Sequence, residues 1–380
     1  MADSRRDLSD EAFRAQLREW LTRVYPAQWR DPALRLRGAD ARRWQRMQYE
    51  AGWRAPGWPA EHGGLGLSIR KQVIYQQELE RCAVARTLDH GVRMVGPILI
   101  RYGTPAQRAA YLLPILSGEH QWCQGYSEPG AGSDLASLQM RAERQGECYL
   151  IQGQKIWTTL AADASHIFLL ARTASGGRRQ HGITFFVAPM ATPGISVQPI
   201  KNLAGEEEFY AVQFDGVRVP VGNVIGAEHD GWRIAKTLLG FERLSQGSPA
   251  LARHAMHLAR RIAHHLHLEH GRYADRLAHL ACDLHDTSVL YEDICEAAAA
   301  GREQPEDSSM AKLLAAELLQ RITECTLELV GEAPWRGPAA LAPELRTAAE
   351  RLFLLARPVT IFGGTSEVQR NILGKVLLGS

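Results

Sequence analysis

Between Gln121 and Ile225 the hydrophobic pattern changes period, and this change constrains the fold more than any other feature of the chain. The segment breaks into short β-rich runs, "CYLIQGQKIWT", "HIFLLART", "HGITFFVAP", "GISVQPI" and "EFYAVQFDGVRVP", each bounded by glycine, proline or polar clusters. They predict a small antiparallel sheet domain. In "LIQGQKIW" a glycine-centred turn is expected to join two strands and to set Ile151 and Trp157 on neighbouring ones. The flanking sequence has helical spacing. In "LSDEAFRAQLREWLTRVY", Ser9 is an expected N-cap, and Phe13, Leu17, Leu21 and Val24 form one apolar face. From Gly231 onward helical runs resume, interrupted at Gly247 to Pro249, with an exposed connection expected over Gly301 to Ser309. The expected fold is α+β and mainly helical: a helical domain over 1–120, a middle β domain over 121–230 and a helical C-terminal domain over 231–380.

At 380 residues, 45% hydrophobic and 23% charged, the chain is long enough to bury a large core and to divide into two or three subdomains. A formal charge of +2 gives no field to draw nucleic acid or an anionic membrane surface. The N-terminal "MADSRRDLSDEAFRAQL" lacks the apolar core of a secretory signal, and no apolar run is long enough for a membrane span. Six scattered cysteines without a C-x-x-C pair fit reduced, mostly buried thiols in a cytoplasmic protein. His254, His257, His264, His265, His267 and His270 crowd one region, but "HLEH" is not H-E-x-x-H and no ligand set accompanies it. A solvated helix face is expected there, and no metal.

"YSEPGAGSDLAS", Tyr126 to Ser137, is dense in glycine and hydroxyls. Backbone N–H groups of such a turn, with Ser127 and Ser133, suit a flavin ring and an anionic tail; by composition alone a polar surface loop fits equally well. With "GQKIWTT" following it, the pair resembles the flavin-site loop and flavin-edge strand of the acyl-CoA dehydrogenase family. "WPAEHGG", "RYGTPAQRAAYLLPILSGE", "FDGVRVPVGNVIG" and "GGTSEVQRNIL" extend the resemblance in the family's order over almost the whole chain. The wording "WCQGYSEPGAGSDLASL" and "WTTLAADAS" resembles the large subunit of pimeloyl-CoA dehydrogenase and its bacterial relatives, which often work as hetero-oligomers.

The resemblance implies an N-terminal helical domain, a middle β domain and a C-terminal four-helix bundle holding FAD and an acyl thioester, on CoA or a carrier protein. It implies an oxidoreductase of fatty acid metabolism, a dimer or tetramer of like or mixed chains, that passes electrons to an electron-transfer flavoprotein. It sets Ser127 and the backbone from Gln124 to Tyr126 against the flavin pyrimidine, Ser133 on the CoA side, and Trp157, Thr158 and Thr159 at the flavin edge. Thr365 and Glu367 fall on the adenine side, and Gly364 and Arg243 beside the substrate. An ordinary strand aromatic remains the alternative for Trp157, and a surface ion pair for Arg243.

Taking the α-proton of a thioester needs a desolvated carboxylate within hydrogen-bond reach of that carbon. Many members carry a glutamate directly before the "G-T" of the C-terminal segment; here that position is Gly363. In a second solution within the family the glutamate comes from the helix opening the C-terminal domain, and there "LLGFERLSQG" presents Glu242. Glu242 is therefore the expected base, with an exposed helix carboxylate as the plain alternative, and the Gly363 N–H is an expected donor to the thioester carbonyl. Two departures bear on the distal half of FAD. The family's R-x-x-F-G segment is replaced by one carrying Arg272 and Arg276 without F-G, and its Q-x-x-G-G contact reads "ELVGEAP", Glu328 to Pro334. A carboxylate there repels a pyrophosphate, which implies other holding residues or a partner chain. A flavin oxidase or monooxygenase on the same fold and a non-catalytic partner subunit are the competing functions.

Overall fold

A computed structural model describes residues 3–302, 304, 306–336 and 341–379, without the side chains of 3, 4, 239–246 and 336. The chain forms two compact units, one of Met1–Phe13, Arg35–Ser68 and Thr87–Glu242, the other of Arg14–Leu34, Ile69–Arg86 and Arg243–Ser380. In chain order the first part holds helices α1 (Asp3–Asp7) and α2 (Asp10–Val24), strand β1 (Arg35–Leu36), α3 (Gly38–Glu50), α4 (Ile69–Arg81), β2 (Arg86–Thr87), α5 (Gly96–Tyr102) and α6 (Pro105–Ser117). Ser9 caps α2 by accepting from the Ala12 N–H, and Phe13, Leu17 and Leu21 are wholly buried, as their spacing leads one to expect.

The middle strands are β3 (Trp122–Gly125), β4 (Arg141–Gln145), β5 (Cys148–Thr159), β6 (His166–Arg172), β7 (Ile183–Pro189), β8 (Ile195–Lys201) and β9 (Glu207–Pro220). They form one seven-stranded sheet in the order β3-β6-β4-β5-β9-β8, with β7 on β6. The sheet is mixed rather than antiparallel: β6 runs parallel to both β3 and β4. Strand β6 is apolar throughout because both its faces are covered. Ile167 and Leu169 join Phe186, Phe214 and Val217 on one face, while Phe168 and Leu170 join Trp58, Ile98, Phe185 and Leu238 on the other.

The turn expected at Gly153 does not form. Strand β5 runs straight through it, with a register irregularity between Ile151 and Gly153. Gly153 sits at φ +142°, and a Cβ there would stand 3.1 Å from the Met140 backbone, so the glycine serves close packing and a bulge instead of a chain reversal.

The remaining helices are α7 (Gly231–Gln246), α8 (Ala250–His265), α9 (Arg272–Ala299), α10 (Asp307–Gly331), α11 (Pro343–Ala356) and α12 (Ser366–Leu378). The break at Gly247 to Pro249 separates α7 from α8 as expected, and a side chain on Gly247 would press within 2.7 Å of Ala311. In the second unit α10 is central, packing against α8, α9, α11 and α12. Its Leu318, Ile322, Cys325 and Leu329 share a core with Ala255, Ala259 and Ile262 of α8 and Leu352 of α11. Helix α4 packs on α9 in the same unit. Gly301, Arg302 and Gln304 are exposed, but the expected surface connection ends early: α10 begins at Asp307 and buries Ser309 completely. His257, His264, His265, His267 and His270 are exposed, and His254 is half-buried. All six cysteines are free thiols, of which Cys282 is exposed. No described helix is long and apolar enough to cross a membrane.

Candidate active site

In the first unit the glycine-rich loop after β3 lies against the end of β5. The Ile156 N–H donates to the Ser127 carbonyl at 2.9 Å, and Glu128 and Ala131 exchange both backbone bonds at 3.0 Å, closing a tight turn around Pro129 and Gly130. Strand β3 reaches the loop through Gly125, where a Cβ would stand 2.9 Å from Ile167, 3.1 Å from Leu169 and 3.3 Å from the Lys155 stem. The backbone can turn past the sheet there only without a side chain.

Strand β5 carries an extra residue beside this loop. Lys155 pairs with Val212 and Thr158 with Tyr210, three steps on β5 against two on β9. A bulge of this kind re-aims the side chains beyond it. Tyr149, Ile151 and Lys155 point inward, but Trp157, in phase with them, is turned out, with 56% of its surface exposed and its backbone in the left-handed region at φ +59°. A non-glycine residue in that region is strained, and such strain gathers at functional sites. Trp157 meets Phe209 edge-on at 6.0 Å between ring centroids. Thr158 takes the inward place after the bulge.

Two buried polar atoms at this junction, Gln124 Nε2 and Thr158 Oγ1, have no hydrogen-bond partner among the described residues. Buried polar atoms are nearly always paired, so orphans beside an exposed, strained tryptophan point to a ligand. Of the residues expected at the flavin, Gln124 lies near the end of β3, Tyr126 and Ser127 open the loop, Trp157, Thr158 and Thr159 lie on the end of β5 beside it, and Ser133 is exposed on the far limb of the loop. An exposed aromatic shelf with free donors and acceptors beside it fits a flavin ring.

The second unit presents the C-terminal turn. Gly363 and Gly364 have φ +65° and +89°, conformations natural to glycine and costly for a side chain. Lys312 Nζ donates to the Gly364 carbonyl at 2.7 Å, and Gln369 Nε2 donates to the Gly363 and Gly364 carbonyls at 3.1 and 3.2 Å. Thr365 caps α12 by accepting from the Val368 N–H. Glu367 is exposed in the first turn, its carboxyl held below the usual range by its own backbone N–H and the Thr365 hydroxyl. An open cleft lined by Gln320, Thr360, Thr365, Ser366, Glu367 and Arg370 fronts this helix N-terminus, and Ser366 Oγ is buried there without a described partner. The helix end, with its partial positive charge, suits a polar or anionic group.

The segments that depart from the expected distal contacts answer each other. Arg272 Nη2 meets Glu332 at 2.6 Å, Tyr273 donates its hydroxyl to the same carboxylate at 2.9 Å, and Arg276 pairs with Glu328. The two arginines and two carboxylates of these segments pair with one another within this chain. Glu242 and Arg243 lie on α7, and their side chains fall outside the described residues. No group of three or more metal-ligating side chains exists among the described residues.

Sequence reasoning missed Lys155 and Lys312. Lys155 shares the inward phase of Tyr149 and Ile151, and Lys312 lies on the same α10 stripe as Ser309, Ala316, Leu319 and Thr323, all buried. A lysine in phase with a buried stripe was the available signal.

Three family profiles match the chain in order: acyl-CoA dehydrogenase N-terminal domain over residues 8–119, middle domain over 123–217 and C-terminal domain over 229–378. The chain is 35% identical over 386 residues to acyl-CoA dehydrogenase IpdE1 of Mycobacterium tuberculosis, covering 97% of each protein. Among solved structures it is similar to the Tcur3481-Tcur3483 steroid ACAD, with a TM-score of 0.86 and 30% identity over 98% of this chain and 97% of that one. It is similar also to the ChsE4-ChsE5 complex from Mycobacterium tuberculosis, with a TM-score of 0.84 and 30% identity over 98% and 97% of the two chains.

Proposed function

This chain belongs to the acyl-CoA dehydrogenase family, and we propose that it oxidises the Cα–Cβ bond of an acyl thioester, on CoA or a carrier protein, with FAD as cofactor and Glu242 as base. FAD supplies the hydride acceptor for the β-hydrogen. Glu242 takes the α-proton, and the Gly363 N–H donates to the thioester carbonyl as negative charge develops there. Ser127 and the backbone from Gln124 to Tyr126 bond the flavin pyrimidine, Trp157 packs on the ring, and Thr158 and Thr159 hold its edge. Ser133, Arg243 and Gly364 face the substrate, and Thr365 and Glu367 the adenine side. The functional division is into a helical domain over 1–120, a β domain over 121–230 and a C-terminal bundle over 231–380.

The observation that carries the flavin assignment is the Trp157 bulge, exposed and left-handed beside two orphaned buried polar atoms. The Arg272–Glu332 and Arg276–Glu328 pairs favour a mixed oligomer, because a chain whose distal arginines are already neutralised has little to offer a pyrophosphate. Electrons pass on to an electron-transfer flavoprotein.

The test is anaerobic mixing of the protein, with any chain that copurifies, with a panel of acyl-CoAs. The panel starts with steroid-derived acyl groups, because a structure 30% identical over 98% of this chain is named a steroid ACAD. Bleaching of bound flavin by one acyl-CoA, lost in Glu242→Gln with flavin retained, is the expected outcome. Undiminished bleaching in that variant removes Glu242 as base. Substrate-dependent oxygen consumption would indicate an oxidase, and a colourless chain that restores activity to another, a non-catalytic subunit.

A further inference from the structure

Beneath the Trp157 shelf lies an ion pair that the proposed chemistry does not use. Lys155 is fully buried and Glu128 is 8% exposed. Lys155 Nζ donates to Glu128 Oε1 at 2.8 Å and to the Tyr126 carbonyl at 3.2 Å. The same carboxylate accepts the Gln139 N–H at 2.6 Å and the Met140 N–H at 3.0 Å. The Ile156 N–H bonds Ser127 alongside, so three successive loop residues, Tyr126, Ser127 and Glu128, are tied to two successive residues of β5.

Stability alone does not account for such a pair. Desolvating two charges offsets most of their attraction, and an apolar replacement of similar volume is often neutral or stabilising. What the pair does fix is geometry. Its bonds end on either side of Ser127, and Lys155 is the last residue before the bulge that turns Trp157 out. Sliding the loop by one residue would leave a buried ammonium, a buried carboxylate and two backbone N–H groups without partners, a penalty of several kcal/mol.

We propose that Lys155 and Glu128 are positioning residues for the flavin, holding the Tyr126–Ser133 loop in register with the Trp157 bulge so that the site is formed before the cofactor arrives. The role rests on the flavin site proposed above. Preorganisation removes the ordering cost from binding, so its loss appears in affinity and in the ring's environment more than in folding. Burial pulls Lys155 down to about 8, Glu128 opposing the shift, which agrees with an ammonium kept out of water for its contacts.

The test is the double variant Lys155→Met with Glu128→Gln, which removes both charges together and leaves no buried charge unpaired. The expected result is an apoprotein melting within a few degrees of wild type, an FAD dissociation constant raised at least tenfold, and altered visible circular dichroism of the bound flavin. Affinity within threefold of wild type with an unchanged flavin spectrum overturns the proposal. Should the variant not fold, amide hydrogen exchange on wild-type apoprotein decides: Gln139, Met140 and Ile156 are expected to be protected before FAD is added, and exchange at the rate of unstructured peptide overturns it. A wild-type chain that takes up no FAD removes the flavin site itself, whereas wild-type uptake with an unaltered double variant removes only the role given to the pair.

Discussion

Lys312 Nζ and the carbonyl oxygen of Gly364 lie 2.7 Å apart, joining the buried stripe of α10 to the glycine turn that precedes α12. Lys312 is 1% exposed, and its bond, with those from Gln369, leaves both turn carbonyls satisfied from inside the unit. The Gly363–Gly364 turn is thus held by Lys312 and Gln369.

Lys312→Met removes a charged donor without stranding a charge, and the expected loss is about 1.5–3 kcal/mol. The pH dependence has a definite sign. Burial lowers Lys312 from 10.5 to about 8, with Glu317 and Glu367 opposing the shift. Between those values the unfolded chain holds a proton that the folded chain does not, so this group's contribution to stability rises with pH from about 8 to 10.5. Urea unfolding of wild type and variant across that range checks both statements; identical slopes would remove the titration from Lys312.

Both turn glycines should resist alanine. Gly363→Ala and Gly364→Ala each meet the left-handed backbone cost, about 1–2 kcal/mol. At Gly364 the added Cβ would also stand 2.5 Å from Gln369 Nε2 and displace the amide that holds the turn. Gly364→Ala is therefore expected to lose more stability in urea unfolding than the backbone cost alone, and a loss no larger than that cost would show that Gln369 yields freely. Gly363→Ala keeps its N–H and is expected to retain flavin reduction to within about tenfold.

Local pattern carried much of this architecture. The buried face of α2, its Ser9 cap, the α7–α8 break and the β-rich middle all follow from spacing and punctuation within a few turns of chain. What depends on partners distant in sequence was not legible. That β6 runs parallel to β3 depends on where the chain returns after β4 and β5. Gly153 carries the same letter whether it reverses the chain or lets it pass close to Met140. Lys155 shares the phase of Tyr149 and Ile151, but that phase does not name its partner Glu128, twenty-seven positions earlier. The family motifs brought the loop and strand end to notice, but the bulge that turns Trp157 outward is a property of the β5–β9 pairing.

Glu332→Gln and Glu328→Gln test the distal half of the cofactor site. Each removes a carboxylate while leaving Arg272 or Arg276 free to meet an anion. These pairs stand at the surface, so folding should change little. The expected effect is FAD binding tightened several-fold, most at low ionic strength, measured by titration of apoprotein. Unchanged or weaker binding in both variants would mean that no pyrophosphate passes near these side chains.

Acid should unfold the first unit through two imidazoles, His90 buried and His166 half-buried. His90 Nδ1 donates to the Trp122 carbonyl at 3.0 Å, while His166 stacks on Trp122 at 4.9 Å and lies 4.0 Å from His120 between ring centroids. Burial lowers both from 6.5 to about 4, helped at His166 by His120. As pH falls through that window the unfolded chain gains protons that the folded chain refuses, so stability falls, by up to about 1.4 kcal/mol per pH unit for each group. His166→Phe keeps a ring on Trp122 and abolishes one of these titrations. Its melting temperature should decline less steeply than that of wild type between pH 6.5 and 4.5, and parallel declines would show that His166 is already protonated in the folded protein.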